Sequence, residues 1–249
     1  MTAFSALKPK KVLFINLEES SKIRSMRLKK YLKSLTPEEI SIFEKNYLSN
    51  PNGFPEFMST DKDWERLEDL INKSDAEFVI IDSLSHLFEG NIENSKDCVK
   101  FTKKFRKYVM KSKKTVLIVH HNVKSNNKPL DQESIAGSRV ISQEFEYGLG
   151  IANIPNGIGG KYFLPIYNKY VDVDNTMAKI CEIDDNLWFE NVSEENVQNL
   201  FKVSSDDGRF NDENGQKILT YFKSQYSQGS SEVNTKSLEA HFVTSNNIM

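Results

Sequence analysis

Three uninterrupted apolar runs of strand length constrain this chain more than anything else in it: Lys11–Leu17 (KVLFINL), Phe78–Asp82 (FVIID) and Thr115–His121 (TVLIVHH). An apolar run without alternation suits a strand buried on both faces of a parallel sheet, whereas a half-exposed antiparallel strand alternates apolar with polar. Between the runs, apolar residues recur at helical spacing: Leu28, Tyr31, Leu32 and Leu35 in the stretch from Ser20, then Trp64, Leu67, Leu70 and Ile71, then Cys98, Phe101, Phe105 and Tyr108. Strands alternating with amphipathic helices predict an α/β fold with a mostly parallel sheet flanked by helices. Right-handed crossovers bring every strand C-terminus to one edge of such a sheet. Ligands of open α/β sheets bind at that edge.

The pattern changes after Tyr147. Short strands at Gly148–Ala152, Tyr162–Tyr167, Ala178–Ile183 and Leu187–Glu190, separated by Asn, Gly and Asp turns, predict antiparallel edge strands added to the sheet. Ser204–Gly215 (SSDDGRFNDENG) has the polar, glycine-bearing composition of a linker. Beyond it, Ile218, Leu219, Phe222 and Tyr226 fit one helix, and Leu238 with Phe242 fit a second opened by Thr235 as N-cap. Two such helices are too small to bury a core of their own. They read either as the opening of a winged-helix module or as a hairpin packed on the main domain. The expected organisation is a core over residues 1–203, a linker over 204–215 and a small helical piece over 216–249.

Composition narrows the function. No apolar run approaches the roughly 20 residues of a membrane span, and no apolar segment follows Lys8, Lys10 and Lys11 as it would in a secretory signal. The cytoplasm is the expected compartment and no membrane partner is expected. Cys98 and Cys181 are too few for a disulfide framework or a thiolate metal site and read as small core residues. The net charge of −2 means that a nucleic-acid partner has to be met by a local basic patch.

Four polar clusters fall at the predicted strand ends: Glu18 with Glu19, Asp82 with Ser83, His120 with His121, and the segment Ser134–Arg139. Nucleotide hydrolysis needs residues of these kinds. Magnesium on the β and γ phosphates wants hard oxygen ligands and keeps several waters, which suits Asp82 acting through water. A second carboxylate must take or orient the proton of the attacking water, which suits Glu18, with Glu19 as the alternative. A polar side chain on the next strand, His120 or His121, is placed to sense the γ-phosphate.

These segments resemble a known family. VLFINLEES followed by KIRSMRLKKYL is similar to the strand, catalytic Glu and following helix of the RepA-like and DnaB-like branch of RecA-fold ATPases, the hexameric replicative helicases. FVIIDSLSHLF resembles the Walker B strand of that family, VLIVHHNVKS its His-bearing strand and loop, and SIAGSRVISQEFEYGLGI its small-residue turn, helix and edge strand. The resemblance runs from about Lys11 to Asn191, and the His-His pair favours the RepA-like branch. It implies a RecA-like ATPase with ATP and magnesium as cofactors. It further implies a homo-oligomeric ring acting on DNA, single-stranded DNA in particular, in plasmid or phage replication. By resemblance Glu18 is the base, Asp82 the magnesium-side carboxylate and His120 or His121 the sensor. A basic residue reaching a neighbouring subunit's nucleotide is expected in IYNKY, where Lys169 stands in place of Arg; Arg139 is the other candidate.

The sequence departs from the family in one respect. A phosphate-binding loop needs Gly-x-x-x-x-Gly-Lys and then Ser or Thr, so that backbone amides at a helix N-terminus cradle the phosphates. The nearest imitation, Gly160-Lys161, has Pro155 at the first Gly and Tyr162 at the hydroxyl, and reads as a hairpin turn. The family's loop precedes the strand that begins here near Lys11, which places its expected position upstream of Met1. Two competing readings follow: a RecA-fold binding or regulatory protein without hydrolysis, and a metal hydrolase built on His120, His121 and the carboxylates.

Overall fold

The computed structural model describes residues 8–123, 128–137, 139–155, 160–201 and Thr220. The chain divides into two compact units, Met1–Phe201 and Lys202–Met249. Of the second unit only Thr220 is described, and it is helical. The linker at 204–215 and the remaining helical residues of 216–249 lie outside the described residues.

In the first unit the three apolar runs become β1 (Val12–Asn16), β3 (Phe78–Asp82) and β4 (Thr115–Val119), joined by a short β2 (Tyr47–Ser49) in the parallel order β2-β1-β3-β4. One face of this sheet carries Leu13, Ile15, Val79 and Ile81, each at most 1% exposed. They share a core with Trp64, Leu67 and Ile71 of α3 (Asp61–Lys73) and with Cys98, Phe101, Phe105 and Tyr108 of α5 (Ser95–Tyr108). Both helices bury the residues their spacing predicts. Caps explain where they start: Thr60 and Asp63 form a reciprocal capping box on α3, and Asn94 accepts from the Lys96 and Asp97 amides on α5. The opposite face is less covered, with Phe14 and Ile80 half-buried and Leu117 45% exposed.

The helix expected from Ser20 is α1 (Ser21–Leu32), opened by the Ser20 side chain accepting from the Ile23 amide. Leu28, Tyr31, Leu32 and Leu35 are only half-buried. It is followed by α2 (Pro37–Asn46), to which the sequence reading assigned no element. Its start was nevertheless written in the chain as Thr36-Pro37-Glu38-Glu39, with Pro at the first helical turn and a Thr36–Glu39 capping box. A single turn α4 (Leu84–Leu87) follows β3, and α6 (Arg139–Glu144) packs on α5, where Arg106 donates two hydrogen bonds to Glu144 at 2.6 and 2.9 Å.

The later strands are antiparallel, as the turn-rich sequence predicts: β5 (Tyr147–Asn153), β6 (Lys161–Asn168), β7 (Met177–Ile183) and β8 (Phe189–Asn196). Among the described residues they hydrogen-bond only to one another, in the order β5-β6-β7-β8, as a second sheet beside the parallel one. Tyr162, Leu164, Ile166, Ala178 and Ile180 form its core with Val197 of the closing helix α7 (Val197–Phe201). β8 runs six residues past the expected end at Glu190, because its second half is polar and mostly exposed and carries no apolar signal. Cys98 and Cys181 are buried free thiols, each fully shielded.

Candidate active site at the carboxyl edge of the parallel sheet

In-register parallel pairing sets Asn16 beside Asp82 and Asp82 beside Val119, so the ends of β1, β3 and β4 finish level. The Leu17 amide extends the ladder by donating to the Asp82 carbonyl at 2.7 Å. Beyond that point the chain at β1 turns, and the turn has a specific cause. The Asn16 side-chain oxygen accepts from the amides of Glu18 and Glu19 at 3.0 and 2.8 Å, curling both glutamates over the strand end. Asn16 is itself clasped by Asn50 beyond β2: its amide donates to Asn50 Oδ1 at 3.0 Å, and Asn50 Nδ2 donates to the Asn16 carbonyl at 3.2 Å. Arg24 of α1 donates to the same Asn50 oxygen at 3.0 Å. Both asparagines are buried.

The two glutamates have different partners. Glu19 is half-buried and forms an ion pair with Arg27 of α1, whereas Glu18 is exposed and has no ion pair among the described residues. Asp82 is half-buried. Its carboxyl is held above the usual range first by desolvation and then by the negative charges of Glu18 and Glu19, with His121 and Arg27 acting in the opposite sense. Glu18, Glu19, Asp82, His121 and Arg27 therefore form one electrostatic cluster. Ser83, which follows a cis peptide after Asp82, is buried, with its hydroxyl 2.7 Å from that of Ser85.

The two histidines are not equivalent. His120 Nε2 lies 2.7 Å from the Ala136 carbonyl oxygen. A carbonyl only accepts, so Nε2 carries the proton and the neutral ring presents Nδ1 as a lone pair. Nδ1 is buried and meets no hydrogen-bond partner. Burial, reinforced by the charge of His121 and opposed by the Ala136 bond, holds the His120 pKa below its ordinary value. His121 is exposed and is the histidine whose charge acts on Asp82.

Arg139 and Lys169 stand apart from this cluster. Arg139 opens α6, is largely exposed, and sits 3.8 Å from Glu133. Lys169 follows β6 and donates to the Gln143 carbonyl at 3.4 Å. Gly160 has φ +80°, and Lys161 begins β6 antiparallel to β5, so this pair precedes a strand and not a helix. A concavity of about 290 Å³ between Trp64, Leu87, Gly90 and Phe101 contains none of the clustered residues.

The donor set fits a magnesium ion bound mainly by phosphates. No group of three or more His, Cys, Asp or Glu able to hold a metal by itself occurs among the described residues. A lone Asp82 pressed by two further carboxylates is nonetheless a position that a divalent cation relieves, and magnesium is commonly held by one or two carboxylates plus substrate oxygens. The metal hydrolase built on the His pair lacks such a ligand set among those residues.

Residues 2–127, just over half of the 249, match the family described as the AAA domain. The chain belongs to the AAA domain family. The match spans β1 to β4 and so includes Glu18, Glu19, Asp82, His120 and His121. The solved ATPase domain of a helicase is similar in fold, at 12% identity over 74% of this chain and 75% of that one, with a TM-score of 0.55. A KaiC-like protein, PH0186 from Pyrococcus horikoshii OT3, is similar at 11% identity over 74% of this chain and 77% of its own, with a TM-score of 0.48. No curated protein matches. The AAA domain here thus has the RecA-like fold that its strand-end motifs resemble. Arg27, Asn16 and Asn50 are the members of the site that the sequence reading missed. The basic residue eight positions after Glu19 was visible, but the pairing of two asparagines 34 positions apart had no local signal.

Proposed function

We propose that the carboxyl edge of the parallel sheet is the hydrolytic side of an ATP site in a DNA motor or replication ATPase that works in the cytoplasm as a homo-oligomeric ring. The observation that carries this is the convergence of Glu18, Glu19, Asp82 and His121 on one edge of an AAA-family sheet. Asp82 is assigned to magnesium through water. Glu18 is assigned as the base that takes the proton of the attacking water, because Glu19 is committed to Arg27 and a paired carboxylate is a weaker base. His121 is the better candidate for the γ-phosphate sensor, since the one N–H of neutral His120 is already given to Ala136. Lys169 and Arg139 remain candidates for contact with a neighbouring subunit's nucleotide. Single-stranded DNA is the proposed substrate of the motor.

None of the 249 residues forms a Gly-x-x-x-x-Gly-Lys loop, so this reading needs the phosphate cradle to come from outside them. The test is magnesium-dependent binding of a fluorescent ATP analogue together with phosphate release. These are measured on the 249-residue chain and on the same chain joined to a strand-loop-helix segment carrying such a loop. The chain alone is expected to bind weakly, with turnover near background. In the joined form Glu18→Gln is expected to abolish turnover while keeping binding within a few-fold. An active Glu18→Gln beside a dead Glu19→Gln reassigns the base. Tight binding and turnover by the 249 residues alone overturn the need for an external cradle. The missing loop also favours a second reading, a RecA-fold binding or regulatory protein without hydrolysis; a folded, nucleotide-binding joined form with no turnover establishes it.

A further inference from the structure

Helix α1 concentrates positive charge in a chain that is net negative. Between Lys22 and Lys33 lie Lys22, Arg24, Arg27, Lys29, Lys30 and Lys33, and the helix contains no Asp or Glu. The two arginines are engaged by the strand-end site, Arg24 with Asn50 and Arg27 with Glu19. The four lysines are exposed and have no ion pair among the described residues. At about 100° per residue, Lys22, Lys29 and Lys33 at i, i+7 and i+11 fall within one narrow stripe about 16 Å long, flanked by Lys30. Met26, 62% exposed, and Ile23, 48% exposed, lie on the same outward side.

An aromatic platform stands at the C-terminal end of this stripe. Trp188, in the turn between β7 and β8, donates its indole N–H to the Tyr31 carbonyl at 3.2 Å and to the Ser34 hydroxyl at 3.1 Å. Its ring centroid is 5.6 Å from that of Tyr31, and 38% of the residue remains open. A large aromatic fixed by its polar edge while part of its surface stays exposed is prepared for stacking, because little conformational freedom is left to lose.

We infer that the outer face of α1 and Trp188 together form a track for single-stranded nucleic acid, with lysines on the phosphates and the indole stacking on an unpaired base. Charge complementarity selects a polyanion, and the aromatic at the end of the stripe selects one whose bases are free, which excludes duplex as the preferred form. This deepens the proposed DNA partnership by naming the surface that meets it. It uses none of the clustered carboxylates.

The experiment is fluorescence anisotropy of labelled (dT)20 with the 249-residue chain across a salt series, without nucleotide, combined with tryptophan quenching. The triple variant Lys22→Ala/Lys29→Ala/Lys33→Ala is expected to lower the slope of log affinity against log salt by about 2, at roughly 0.7 per lost phosphate contact on a single strand. Bound oligonucleotide is expected to quench Trp188 emission. Trp188→Phe should remove the quench and leave the emission of the buried Trp64, which also reports that the fold is intact. An unchanged salt slope in the folded triple variant, a quench that survives Trp188→Phe, or equal binding to duplex, polyglutamate or phosphatidylserine vesicles overturns the track. Because no nucleotide is present, failure here leaves the hydrolytic reading standing, and a dead ATPase leaves the track standing.

Discussion

β3 and β4 are hydrogen-bonded neighbours in one sheet, parallel, in register, and written in nearly the same residues, FVIID and TVLIV. Yet Val79 and Ile81 of β3 are fully buried, whereas Leu117 and Val119 of β4 are 45% and 40% exposed. The difference comes from neighbours. β3 is flanked by β1 and β4 and lies against the core shared with α3 and α5, while β4 pairs with β3 alone among the described residues. Residue type therefore reports that a segment is a strand, and position in the sheet decides how much each side chain contributes.

The sharpest way to break this comparison is to truncate equivalent apolar side chains. Ile81→Ala is expected to cost about 2–5 kcal/mol in chemical denaturation, and Leu117→Ala less than about 1 kcal/mol, since much of its surface stays in water. Equal costs would show that the open face of β4 is covered in solution. Next in size are the strand-end histidines. His120→Ala removes a half-buried ring and its bond to Ala136, expected to cost about 1 kcal/mol and to lower Tm by about 2–4 °C in a protein of this size. His121→Ala is expected to leave Tm within error, and a larger loss for His121 reverses the assignment of the two rings.

Acid and base ends of the pH range sharpen the contrast further. The pKa of His120 is lowered by folding, so the unfolded chain binds more protons and stability falls as pH drops through the unfolded value of about 6.5. His120→Gln is expected to flatten that part of the Tm–pH profile. Asp82 has the opposite linkage: its raised pKa favours the protonated carboxyl in the folded state, a contribution present below the unfolded value of about 3.9 and lost as pH rises through the folded one. Asp82→Asn is therefore expected to raise Tm slightly at pH 7, with the gain closing toward pH 4. This is the smallest of the effects, and a loss of Tm at pH 7 instead would mean that Asp82 is satisfied by contacts as an anion.

What could be read from sequence followed the same divide. β1, β3 and β4 and the buried stripes of α3 and α5 were legible because burial on both sides of an element leaves a continuous or periodic apolar signature. The strand-end clusters were legible because parallel topology alone brings C-termini together. The polar half of β8 gave no such signature. Nor did the separation of the antiparallel strands into their own sheet, since hydrogen bonding between backbones depends on no particular side chain. The distinction between Glu18 and Glu19 was likewise closed to sequence, because it rests on Arg27 reaching back from the first turns of α1.

The unpaired outer edge of β4 has a consequence for how the protein behaves in bulk. TVLIV is a short, uncharged, β-branched segment without proline, the composition that templates intermolecular strand addition. The chain brackets it with charge: Lys111, Lys113 and Lys114 precede it and the two histidines follow. Such flanking cations act as gatekeepers by repelling a second copy at close range. Their reach shortens from about 10 Å at 0.1 M salt to about 3 Å at 1 M, so self-association of this chain is expected to rise with ionic strength, and Lys113→Ala or Lys111→Ala to lower the salt concentration at which it begins.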